Sequence, residues 1–100
     1  MNGYIAAKMG ATNELDIPVQ MFCDIDFAGK MTPVLFRYRN SNEQIEKVSI
    51  LEILARNERN YGGVREKQYI CNVLFGNMKK AIELRFDVDR QKWRIFWVLS

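Results

Sequence analysis

Residues 69–99, YICNVLFGNMKKAIELRFDVDRQKWRIFWVL, decide the fold. Tyr69, Cys71, Val73 and Phe75 alternate with Ile70, Asn72 and Leu74, the period of two that gives each face of a strand its own side chains. Gly76-Asn77 then makes a two-residue hairpin loop, with glycine supplying the positive φ that a type II′ turn needs first. Ile82, Leu84 and Phe86 answer on a second strand. Asp89-Arg90-Gln91-Lys92 turns the chain again. Trp93–Leu99 closes it as a nearly continuous apolar run, as expected for a strand covered on both sides.

The same signals extend toward the N-terminus. Val19, Met21, Cys23, Ile25 and Phe27 alternate with Gln20, Phe22, Asp24 and Asp26. Ala28-Gly29-Lys30-Met31 reads as a hairpin loop, and Pro33 opens a strand where a missing N–H is tolerated. On that strand Val34, Phe36 and Tyr38 share one face, Leu35, Arg37 and Arg39 the other. Asn40-Ser41-Asn42 is turn chemistry, short polar side chains that bond their own backbone. Residues 44–57 read two ways. Val48, Leu51, Glu52 and Ala55 fit a helical face, yet the richness in Ile and Val fits a strand with one bulge. The strand is preferred because Gly62-Gly63 then joins it to the next strand. Residues 1–17 lack sustained periodicity and read as an N-terminal arm, flexible or loosely docked. The expectation is a mainly β domain over 18–100, a small antiparallel meander of five or six strands, barrel-like, with room for one short helix.

A chain of 100 residues, 48% apolar and 27% charged, is one domain with a core of its own. Its charge is too mild and its apolar content too high for intrinsic disorder, and no apolar run approaches the ~20 residues of a membrane helix. The net charge of +3 is unevenly placed: residues 65–94 carry eight basic and four acidic side chains. Ile5–Ala7 is too short for a signal-peptide core, so a cytoplasmic location is expected. Cys23 and Cys71 lie 48 residues apart within apolar stretches and read as reduced, buried thiols.

Pro33 through Val98 resembles a small uncharacterised bacterial β-barrel-like domain family. Pro-x-x-Phe-x-Tyr stands here as Pro33, Phe36 and Tyr38, with Val48 in the strand after it. Asp-x(5)-Trp-x-Ile stands as Asp87, Trp93 and Ile95. The resemblance implies a fold and brings no activity or site residues.

Catalytic chemistry is sparse. The chain has no histidine, which removes Ser-His-Asp and Cys-His catalysis and most zinc hydrolysis. There is no P-loop and no dinucleotide fingerprint. Asp24 and Asp26, two apart on one strand face, have the spacing of a Mg²⁺ pair, but a solvated edge strand explains them better. No catalytic residue, metal or cofactor is expected.

Two binding readings remain. If Met21, Phe36, Val73, Leu84 and Trp97 form the core, then Phe22, Leu35, Ile70, Leu74, Phe96 and Val98 point away from it. That second apolar face needs cover from the arm, from residues 50–60 as a helix, from a second copy, or from a protein partner. Phe22, Leu35, Leu74, Phe96 and Val98 are the expected partner-binding set, in a protein-binding or homodimeric module. The alternative is a single-stranded nucleic-acid binder with phosphates on Arg37, Arg39, Arg85 and Arg94 and bases on exposed rings.

Overall fold

The computed structural model describes residues 14–99, which form strands and the short connections between them. Short connections force each strand beside its predecessor: β1 (Glu14–Ile25), β2 (Met31–Arg39), β3 (Ile45–Tyr61), β4 (Val64–Phe75), β5 (Met78–Asp87) and β6 (Lys92–Val98). All neighbours are antiparallel, and β6 returns to β1 to close a barrel. The β1–β2, β3–β4 and β5–β6 turns therefore lie at one end, here the upper end. No helix among the described residues is long and apolar enough to cross a membrane.

The turns arise from local chemistry. Gly76 has φ +58° and Phe75 pairs with Met78, which gives the expected two-residue loop. At Asn40 the side-chain Oδ1 accepts from the Asn42 and Gln44 amides at 2.8 and 3.0 Å. Asp26 Oδ1 does the same for Ala28 and Lys30, at 2.9 and 2.8 Å. Asp26 is thus the brace of a hairpin turn.

Strand β1 starts at Glu14 and buries Ile17, so it takes in four residues expected in the arm. The remaining arm residues, 1–13, lie outside the described residues. Residues 44–57 are strand throughout from Ile45, and the helical alternative is excluded. The strand carries two bulges where one was expected, at Leu51 and Leu54, because the β4 register skips between Ile50 and Glu52 and again between Ile53 and Ala55. Val48, Ile50 and Ile53 consequently pack inward, at spacings of two and then three. The spacing of three is what imitates a helix in the sequence.

The core holds an aromatic cluster at each end. Phe36, Tyr38 and Phe75 meet edge-on or tilted at the lower end, centroids 5.9–6.4 Å apart. Tyr69, Phe86 and Trp93 stack at the upper end, at 5.4 and 4.9 Å. Cys71, Val73, Ile82, Leu84 and Ile95 fill the space between them with no exposure.

Two further bulges correct the expected core. In β2 the register with β1 skips Val34, which turns outward and is exposed, while Pro33 and Phe36 stay inside. In β6 Ile95 pairs with Leu84 and Trp97 with Glu83, leaving Phe96 as the extra residue. After the bulge the parity of the strand inverts. Trp97 therefore leaves the core, and Val98, expected on the outer face, is 3% exposed inside it.

Truncating the fully buried Leu84 to alanine is expected to cost about 2–5 kcal/mol, through lost burial and a cavity. Trp97→Ala, on the outer side of the bulge, is expected to cost less than about 1.5 kcal/mol. Denaturant midpoints measured on both variants check the order; the reverse order would put Trp97 back in the core.

Candidate functional site

The outer face of the barrel divides into two chemically different halves. On the β4–β5–β6 side it is an ion network. Glu66 accepts from Arg85 Nη1 at 3.4 Å and from Arg94 Nη2 at 2.9 Å, and Glu83 accepts from Arg85 Nε at 2.6 Å. Arg94 Nε lies 3.3 Å from Asp16 without hydrogen-bond alignment. The Phe96 ring covers the Arg85 guanidinium at 3.4 Å, and Phe96 meets Trp97 edge-on at 5.6 Å. The Arg85 side chain is 11% exposed and Glu66 and Glu83 are buried. A lone buried charge is very costly, so these groups hold one another in place.

This arrangement removes two of the four arginines expected to hold phosphates. Arg85 and Arg94 are neutralised, and Phe96 serves as their lid. Arg37 and Arg39 remain exposed beside a groove of about 590 Å³ between β1 and β2. Arg37 lies over the Phe22 ring at 5.1 Å, and Arg39 pairs weakly with Glu43 at 3.5 Å. The registers place Arg85, Arg94 and Arg37 on one outer face of β5, β6 and β2 with β1 between, but the ion network leaves only Arg37 and Arg39 outside it.

On the β1–β4 side the outer face carries an apolar row set among polar side chains, with Arg37 over Phe22 and Asn72 donating to Glu52. Phe22 pairs with Leu35, Leu35 with Ser49, and Ser49 with Leu74, so three of the five expected partner-binding residues line up in one row across four strands. The bulges add three residues that the sequence pattern did not single out: Val34 on β2, and Leu51 and Leu54 on β3, the last two 51% and 49% exposed. On β3 the signal was present as the three-residue spacing of Leu51 and Leu54 set against that of Ile50 and Ile53. Bulges and helices share that spacing, so the sequence alone did not separate them. Val98 does not belong to this face, and Phe96 lies on the other half of the barrel.

A seam runs beside the row. Strands β2 and β3 pair only through Leu35–Arg39 and Ile45–Ser49. Above that point Met31, Thr32 and Pro33 pair with β1 alone, and β3 from Ile50 to Tyr61 pairs with β4 alone. Two side chains bridge the gap. Arg56 donates to the Met31 carbonyl and to Thr32 Oγ1, both at 3.0 Å, and the Tyr69 hydroxyl donates to the Met31 carbonyl at 3.3 Å. Burial raises the Tyr69 pKa, which keeps the hydroxyl protonated and a donor. Above the bridge is a cleft of about 240 Å³ lined by Lys30, Arg56, Asn57, Glu58, Lys67 and Tyr69, among others.

The remaining reactive groups are quiet. Burial pushes the Cys71 thiol up to about 12 and raises Cys23 as well, so neither supplies a thiolate near neutral pH. Asp24 is exposed on β1 and Asp26 is committed to its turn. Among the described residues no group of three or more metal-ligating side chains gathers. In the β5–β6 turn, hydrogen bonds from Arg90 hold Asp87 below the ordinary carboxylate range. Arg65, at 2.6 Å, does the same for Asp89. The chain matches no protein-family model, no curated protein and no solved structure.

These groups set two expected outcomes. A thiol reagent at pH 8 is expected to leave Cys71 unmodified in the folded protein and to label it on unfolding; rapid native labelling, read by mass spectrometry, contradicts its burial. Because Asp87 and Asp89 have lowered native pKa values, their stabilising effect is complete above the unfolded carboxylate range and is lost as pH falls through the lowered values. Melting temperatures of Asp87→Asn and native protein are therefore expected to converge as pH falls through that range. A gap that persists once both carboxyls are protonated contradicts the linkage.

Proposed function

We propose that this protein is a non-catalytic interaction module that docks a protein partner, or a second copy of itself, through the outer apolar face of β1–β4. The observation that carries the reading is the surface formed by Phe22, Val34, Leu35, Leu51, Leu54 and Leu74. Phe22, Val34, Leu51, Leu54 and Leu74 are exposed, and Leu35 is partly so. Soluble monomers rarely expose apolar patches beyond ~300–600 Å², and larger ones mark interaction sites. The barrel is already closed and filled by its inner side chains, so these residues add nothing to the core. A bulge that exposes leucine where a polar residue would suffice needs a reason outside the fold. Protonated thiols and the absence of histidine support a binding role over a catalytic one.

The test places a photo-crosslinking residue at Leu54, at Leu74 and, as control, at Lys92 on the far side of the barrel. Discrete adducts of one size from the first two positions and none from Lys92 are expected; the size separates partner from self-association. Leu51→Asp with Leu54→Asp is expected to abolish the adduct formed at position 74 and leave the melting temperature within a few degrees, since neither leucine is in the core. Adducts at all three positions alike, or steeply salt-dependent binding of an oligothymidine in place of any adduct, would overturn the reading.

A further inference from the structure

The seam beside that apolar face has an unpaired edge and an unbalanced charge. From Ala55 to Tyr61 strand β3 is regular and has ladder partners on β4 alone, so alternate residues turn N–H and C=O groups away from the sheet. Arg56 and Glu58 pair with Tyr69 and Lys67 and so face the cleft, where Lys30 also lies. Three cations there meet one carboxylate, and among the described residues no ion pair engages Lys30, Arg56 or Lys67. The exposed Leu51 and Leu54 lie on the opposite, outer side of the same strand.

We propose that the open edge of β3 takes an extended acidic segment of a partner protein as an added strand. Successive side chains of such a strand point to opposite faces. Alternate positions then place carboxylates against Lys30, Arg56 and Lys67 in the cleft, and the remaining side chains outward beside Ala55, Asn57 and Arg59, next to the exposed Leu54. Charge selects the occupant. Residues 1–13 of this chain contain Lys8 and neither Asp nor Glu, so they bring no anion to the cleft. A second copy would bring one cation-rich seam against another. This inference rests on the docking reading and names the partner chemistry it requires.

The experiment uses the full chain and two fluorescein-labelled ten-residue peptides, one alternating Glu and Val and one alternating Lys and Val. The Glu–Val peptide is expected to bind about tenfold more tightly by anisotropy and to slow amide exchange between residues 55 and 61. Lys30→Gln with Lys67→Gln is expected to weaken it about tenfold, the effect of losing two exposed charge pairs. Equal binding of the two peptides, or protection elsewhere on the barrel, overturns the inference. So does exchange protection at 55–61 that rises with protein concentration and without peptide, the mark of a second copy. Displacement of the bound peptide by oligothymidine at equal concentration overturns it as well. Binding lost in Leu51→Asp with Leu54→Asp but kept in the lysine variant overturns the acidic-strand inference and leaves the docking face standing. Loss in the lysine variant alone supports the acidic seam, and the docking face then stands or falls on the crosslinks at Leu54 and Leu74.

Discussion

The structure depends on one geometric constraint: six strands must bend enough to close while each keeps a single face toward a narrow interior. Bulges provide the bend, since an extra residue kinks the strand and increases its local twist. They occur in β2 at Val34, in β3 at Leu51 and Leu54, and in β6 at Phe96. Each also inverts the inside–outside parity of the residues beyond it on the strand. The same devices that close the barrel therefore decide which large apolar residues face outward.

That coupling separates the two halves of the outer surface. On β6 the bulge brings Phe96 onto Arg85, and the aromatic residue is used within the chain, shielding the carboxylates that neutralise Arg85 and Arg94. On β2 and β3 the displaced residues have no such role. Val34, Leu51 and Leu54 border a seam where β3 has diverged from β2, and the strand edges there are bridged only in part, through Arg56 and Tyr69. An apolar face beside an open strand edge is the feature on which the proposed docking rests. The bulges also limit how far a neighbouring strand can pair, because a continuous register does not pass Leu51 and Leu54. The regular stretch above them is the part that can accept one.

Charge is arranged with similar economy. Glu66 serves two arginines, Asp87 holds both the β5–β6 turn and Arg90, and Asp26 ties its own hairpin. Acids near the upper end are thus largely committed to structure. In the cleft, by contrast, Lys67 meets Lys30 and Arg56 from earlier in the chain with Glu58 as the one carboxylate of the lining.

The sequence by itself determined the strands, their order and most of the turns. Period-two alternation and Gly, Asn and Asp at chain reversals are local physics, complete within a few residues. It also determined that Phe22, Leu35 and Leu74 lie outside the core, since Phe22 and Leu74 stand in alternating runs and alternation holds from Leu35 to Arg39. Only the tertiary structure decided the parity of Val34, Leu51, Leu54, Trp97 and Val98, because a bulge is set by the register of the neighbouring strand and not by the residue that forms it. It alone decided that Arg85 and Arg94 are consumed by Glu66 and Glu83. Those residues lie up to 28 positions apart and meet only when β4, β5 and β6 align. The open seam belongs to the same class, for it depends on where β3 parts from β2, and that is set by the closure of the whole barrel.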